Sequence, residues 1–121
     1  MTPNQFRQLA LSLPEAVESS HMNHPDFRVA GKIFATLAGG EEWGMVKLKP
    51  EQQAAFARSH PEVFEIFQNG WGRMGCTKVV LKKATKVVVT PAMVAAWQNI
   101  AEAPNKRAKR PVKNRARGRA R

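Results

Sequence analysis

The spacing of apolar positions changes several times along this chain, and each change marks an element. Phe6, Leu9, Ala10 and Leu13 recur at helical spacing behind Thr2, a capping residue, and Pro3, which suits the first helical position. Pro14 ends that helix. Residues 17–22 read as a short strand, with Asn23-His24-Pro25-Asp26 as the turn after it. Residues 27–37 (FRVAGKIFATL) are rich in Val, Ile, Phe and Thr and read as one strand, with Gly31 as a bulge or bend in its middle. Gly39-Gly40 is a hairpin signal, and residues 43–49 (WGMVKLK) form the returning strand.

Helix formers take over at residues 50–59 (PEQQAAFARS), with Pro50 at the start and Glu51 in the first turn, where a negative charge suits the helix dipole. His60-Pro61 stops this helix, and residues 63–67 read as a short strand. Residues 69–75 (NGWGRMG) read as loop, and residues 77–83 (TKVVLKK) as a strand. Residues 86–89 suit a strand by their β-branched run. A helix running through Pro91 would carry a cost of about 3 kcal/mol. The pattern therefore predicts a last helix capped by Thr90 and opened by Pro91, with Met93, Val94, Trp97 and Ile100 on one face and an end near Ala103-Pro104.

The resulting order is helix, three strands, helix, two strands, helix, with no internal repeat. Strands joined by tight turns pair antiparallel, so the expected fold is α+β, a two-layer sandwich of an antiparallel sheet with helices packed on one side. The expected domain covers residues 1–103. Residues 104–121 lack the apolar side chains that would offset ordering entropy and are expected to form a disordered tail.

Charge divides along the same boundary. The chain has 121 residues and a net charge of +11. Its last eighteen residues (PNKRAKRPVKNRARGRAR) hold nine cations and no acid: Lys106, Arg107, Lys109, Arg110, Lys113, Arg115, Arg117, Arg119 and Arg121. All nine acids lie before them, so the remaining residues net only +2. A block of like charges repels itself, stays solvated and seeks a polyanion. Nucleic acid is the leading partner, ahead of other acidic partners and of a merely solubilising role. A membrane-surface helix would need a large apolar face, which this segment lacks. No apolar run approaches the roughly 18 residues that span a bilayer. The opening residues do not read as a signal peptide. Cys76 is the single cysteine, which excludes an internal disulfide and points to the cytoplasm.

Four local motifs carry little chemistry. Gly70-x-Gly72-x-x-Gly75 matches a dinucleotide fingerprint literally, but a strand follows it where a helix is needed, and the stretch 90–95 supplies no acid. It reads instead as a glycine-rich loop framing Trp71. His21-x-x-His24 offers two metal ligands where three or four are needed, so no metal or other cofactor is expected. Cys76 lacks a base at fixed spacing and reads as an inert thiol. Glu15 and Glu18 read as surface or structural acids.

The basic strands are more informative. Alternation puts Trp43, Met45, Lys47 and Lys49 on one face of their strand, and Lys78 and Lys82 on one face of the later one. Brought together, these lysines would form a basic sheet surface with aromatic interleaving, able to bind phosphates and stack bases. Otherwise they are solvated positions on an outer face. Arg28, Lys32 and Arg73 could extend the patch, while Trp71 and Trp97 read as core or cleft-lining residues.

Several segments together resemble the MmcQ/YjbR family: Leu13-Pro14-Glu15-Ala16-Val17-Glu18, Phe27-Arg28-Val29-Ala30-Gly31-Lys32-Ile33-Phe34-Ala35 and Val46-Lys47-Leu48-Lys49. Gly70-Trp71-Gly72, Thr77-Lys78-Val79-Val80-Leu81 and Ala95-Ala96-Trp97 continue the match, which spans roughly residues 3–103. The resemblance implies an α-β(3)-α-β(2)-α sandwich similar to secretion chaperones and a DNA-binding role. It implies no catalytic residues. Val87-Val88-Val89-Thr90-Pro91 departs from the family pattern, in which the last helix begins sooner.

The expected function is non-enzymatic binding of nucleic acid, DNA before RNA, driven by the basic tail without sequence preference. A protein-interaction module of secretion-chaperone-like fold is the alternative. An enzyme with a small-ligand cleft near Trp71, Lys32 and Lys47 is a third reading, and no convergent acid–base set supports it.

Overall fold

A computed structural model describes residues 1–38 and 42–102 of the chain. The tail, and the Gly39-Gly40 hairpin signal, lie outside the described residues.

The first helix, α1 (Pro3–Leu11), begins as its sequence dictates. The Thr2 hydroxyl accepts from the Gln5 N–H at 3.1 Å, and the Gln5 side-chain oxygen accepts from the Thr2 N–H at 2.8 Å. This reciprocal box satisfies two otherwise orphaned donors. Phe6, Leu9 and Ala10 are the buried face.

Four strands follow: β1 (Val17–His21), β2 (His24–Val29), β3 (Lys32–Ala38) and β4 (Trp43–Lys47). The expected single strand over 27–37 is in fact two, because the chain reverses at Ala30-Gly31. Both residues have positive φ, +54° and +78°, the requirement of a two-residue hairpin turn of right-handed twist. Alanine does not advertise that conformation, so glycine alone looked like a bend. Met22-Asn23, at φ +51° and +67°, turns the chain the same way between β1 and β2. His24, Pro25 and Asp26, expected in a turn, therefore open β2 instead. Between β2 and β3 the register slips by one residue, with Phe27 opposite Ala35 and Arg28 opposite Ile33. The extra residue is Phe34, and both Phe34 and Ala35 are buried in the core.

The second half comprises α2 (Pro50–Ser59), β5 (Phe64–Ile66), α3 (Gly70–Arg73), β6 (Cys76–Val80), a 3₁₀ turn (Leu81–Lys83) and α4 (Lys86–Ala101). The expected loop at 69–75 thus contains a short helix. The expected strand 77–83 ends three residues early, since Leu81 turns into the core. The last helix starts at Lys86 and not at Pro91, as the family pattern anticipated. Thr85 caps it, its hydroxyl accepting from the Val88 N–H at 3.3 Å. Pro91 lies inside the helix, and Val89, Ala92, Met93 and Ala96 are its buried stripe. Burying four such residues outweighs a proline penalty of about 3 kcal/mol.

Among the described residues the strands form one antiparallel sheet in the order β1-β2-β3-β4-β6-β5. Helices α1 and α4 cover one face, and Phe6, Phe27, Phe34, Leu37, Val46, Val79 and Met93 fill the space between the layers. The molecule is thus the expected α+β sandwich, with one more hairpin strand and one more short helix than the sequence pattern indicated. The face away from α1 and α4 is left open, and the candidate site runs from that face to the strand ends beside the last turn of α4.

Candidate functional site

Strand alternation on β4 sends Gly44 and Val46 into the core and leaves Trp43, Met45 and Lys47 on the open face. Register then extends that face sideways. Met45 pairs with Thr36 on one side and Lys78 on the other, while Thr36 pairs with Asp26 and Lys78 with Glu65. Two concavities lie end to end along these strands.

The first has a volume of about 590 Å³ and is lined by Arg28, Lys32, Lys47 and Lys49, with Met74, Asn99 and Ile100 at its margin. Lys32, Lys47 and Lys49 form no ion pair among the described residues. The rim is held by a small network. The Asn99 amide donates to the Lys47 carbonyl at 3.3 Å and to the Gln52 side-chain oxygen at 2.9 Å, which also accepts from the Lys49 N–H at 2.9 Å. Asn99 and Ile100 belong to the last turn of α4, so the chain leaves the described residues beside these cations.

The second concavity, about 500 Å³, is lined by His21, His24, Thr36, Trp43, Met45, Phe67, Asn69, Trp71 and Cys76. Trp43 and Phe67 meet with ring centroids 5.7 Å apart. Trp71 stands 62% exposed, placed by α3, whose cap Asn69 accepts from the Trp71 N–H at 3.0 Å. The glycines of the 70–75 run are explained by packing. Gly72 lies against the Phe67 carbonyl, and Gly75 lies against the Leu48 carbonyl with φ +99°. Buried Gln53 ties this segment down, donating to the Gly72 carbonyl at 3.1 Å and the Thr77 hydroxyl at 3.1 Å. Burial pushes the Cys76 thiol pKa up, so the reactive thiolate is disfavoured.

Asp26 joins the two concavities. It is fully buried, takes the Arg28 Nε–H on Oδ1 at 2.8 Å and Nη2–H on Oδ2 at 3.0 Å, and meets His21 Nδ1 at 2.7 Å. The hydrogen bonds from Arg28 lower its pKa most, burial opposes them, and His21 adds to the lowering. A carboxylate held below its unfolded pKa contributes stability that is complete above that value and is lost as pH falls through the folded one. The melting temperature is therefore expected to drop as pH falls below about 4, and Asp26→Asn to melt lower at pH 6 and to show a shallower drop. Circular-dichroism melts of both proteins between pH 6 and 3 check this; parallel curves would assign the acid sensitivity elsewhere.

Of the residues singled out from sequence, Lys47 and Lys49 share the basic concavity, with Lys49 at the cap position of α2 rather than on the strand. Arg28 and Lys32 join them. Lys78 does not: its Nζ lies 5.3 Å from the Trp43 ring centroid and 3.9 Å from Glu65 Oε1. Lys82 is carried off the strand face by the 3₁₀ turn and stands exposed, and Arg73 is exposed on α3 outside both concavities. Lys106, Arg107, Lys109, Arg110, Lys113, Arg115, Arg117, Arg119 and Arg121 lie outside the described residues. Trp97 packs partly buried, its indole N–H donating to the Pro14 carbonyl at 2.9 Å. The roles of Asp26 and Thr36 were missed, because both depend on cross-strand register. The pair of histidines separated by two residues, His21 and His24, was the one available signal.

Among the described residues, no group of three or more His, Cys, Asp or Glu could hold a metal ion. No helix among them is long and apolar enough to cross a membrane. A search of curated proteins finds no match. Among solved structures, the chain is similar to the crystal structure of the Deinococcus radiodurans protein DR2400, of family-model domain DUF419, with a TM-score of 0.70 and 14% identity over 88% of this chain and 83% of that one. That likeness is one of fold. The family model YjbR matches residues 11–101, most of the folded region and both concavities, and the chain belongs to the YjbR family.

Proposed function

We propose that this protein binds DNA without catalysing a reaction on it. The carrying observation is the juxtaposition of Lys32, Lys47 and Lys49, without ion pairs among the described residues, with the end of α4, after which, beyond Glu102 and Ala103, the sequence continues with nine cations and no acid. A phosphate backbone following the tail to the folded hollow passes one exposed acid at the end of α4, Glu102, while Asp26 nearby is already paired with Arg28. Contacts of this kind position a nucleic acid and carry no sequence information. The expected compartment is the cytoplasm, where a lone thiol such as Cys76 stays reduced.

The hollow's share is measured by changing Lys32, Lys47 and Lys49 together to Gln in the full chain. Each lost phosphate contact flattens the log–log salt dependence by about 0.9 on duplex DNA, so the triple variant is expected to lose about 2 to 3 in slope and to bind more weakly at every salt concentration. Anisotropy titrations with one duplex across a salt series provide the readout. An unchanged slope would remove the folded domain from the contact and leave the tail alone.

A further inference from the structure

The aromatic concavity is not used by the phosphate contact, yet it is equipped for a ligand. Its walls are Trp43, Met45 and Phe67, and the exposed Trp71 ring stands at its mouth. Its volume of about 500 Å³ lies within the range of small-molecule sites, about 300–1,000 Å³. Its polar groups are few and placed. Thr36 is 5% exposed, and its buried Oγ1 has no hydrogen-bond partner among the described residues. A buried hydroxyl left without a partner is rare and calls for an explanation. His21 lines the same space and spends Nδ1 on the Asp26 carboxylate. Because that carboxylate also takes both Arg28 N–H groups, it acts as acceptor and Nδ1 carries the hydrogen, which leaves Nε2 as the ring nitrogen available to a ligand.

A hydroxyl that both donates and accepts, an imidazole nitrogen and flat aromatic walls complement a planar heteroaromatic ring with polar edges. The position of the hollow narrows the class. Strand β4 runs from Trp43 and Met45 in this hollow to Lys47 in the basic one, and β2 runs in parallel from His24 through Asp26 to Arg28. A ring bound at the aromatic end has beside it, at the other end, the ammonium groups of Lys32 and Lys47, which form no ion pair among the described residues.

We infer that the aromatic concavity receives one unpaired nucleobase, stacked against Trp71 and hydrogen-bonded to Thr36 Oγ1 and His21 Nε2, while its phosphates lie along Lys47 and Lys32. The inference rests on the DNA-binding reading and adds a preference to it. A base inside a duplex is stacked and paired on both sides and cannot enter, so single strands bind better than duplex of equal length.

The experiment uses the full chain and three probes at one salt concentration: a short single strand, its duplex, and an abasic strand with the same phosphates. Two of the three tryptophans line the hollow, so intrinsic fluorescence reports occupancy. The single strand is expected to quench fluorescence and to bind about tenfold more tightly than the abasic strand or the duplex. Trp71→Ala, at an exposed position, and Thr36→Val are each expected to remove most of that excess and to leave duplex affinity and its salt slope unchanged. Equal binding of abasic and normal strands by the wild-type chain, with a steep salt slope, overturns the base site and leaves the polyanion reading standing. Failure of all three probes to bind at low salt overturns the DNA-binding reading itself. Retention of the single-strand excess in both variants places the preference outside this concavity.

Discussion

A chain ending at Ala103 binds duplex DNA at least a hundredfold more weakly than the full chain at low salt, and its salt dependence falls to the log–log slope of about 2 to 3 that Lys32, Lys47 and Lys49 supply. The expectation follows from counterion release. If four of the nine tail cations neutralise phosphates, the log–log slope of the full chain gains about −3.6 from the tail, and between about 50 and 200 mM salt that share alone lowers affinity roughly a hundredfold. The folded region cannot replace it, because residues before the tail net only +2. A full-length chain with Gln at all nine tail positions separates charge from length and is expected to behave like the truncated one. Anisotropy titrations over a salt series measure both. Equal affinity of the truncated and full chains would refute the tail as the source of attraction, and binding that persists at high salt would favour a protein-like interface over a polyelectrolyte one.

The largest effect on stability is expected at Gly72. A Cβ built there would lie 1.9 Å from the Phe67 carbonyl oxygen and 2.9 Å from its carbon, and both atoms are backbone. No rotamer change relieves such a contact, so Gly72→Ala must displace α3 or β5. The displacement also threatens the Gln53 hydrogen bond to the Gly72 carbonyl and the placement of Trp71. A cost of about 3 kcal/mol, at the upper end for overpacking, corresponds in a domain of this size to a melting temperature lower by roughly 12–20 °C. Gly70→Ala is the matched control. Its Cβ would meet only the end of the Arg73 side chain, at 3.7 Å, in a short helix where alanine is favoured over glycine. Thermal melts of the two variants should diverge widely, and Gly72→Ala melting within a few degrees of wild type would contradict the close approach. Single-strand affinity of Gly72→Ala, measured below its melting point, is expected to fall with the loss of the Trp71 position.

Local sequence determines structure where side chain and backbone interact within a few residues. The Thr2–Gln5 box, Pro3 at the helix start, the alternation of Trp43, Met45 and Lys47, and the helix opened by Pro50 all follow from neighbours in sequence. The errors fall where a distant contact overrides a local preference. Ala30 adopts a positive φ because β2 and β3 both bury large side chains on the helix-covered face and must pair in register to do so. Val87 to Val89 favour a strand by themselves, and become helix because Val89 is covered completely in the core. Lys82 leaves the strand face because Leu81 turns inward first.

The amino-acid order by itself decided the separation of charge, the α+β layering and the family, since each depends on composition or on spacing within an element. Tertiary structure alone decided which cations are neighbours. Arg28 and Lys32 come from one hairpin and Lys47 and Lys49 from the β4–α2 junction, and only the antiparallel register gathers them around one hollow while it gives Lys78 to Glu65. The same register sets Thr36 beside Asp26 with its hydroxyl unpartnered among the described residues. Such proximity is a property of paired strands and packed layers, which bring together residues whose separation along the chain carries no record of it.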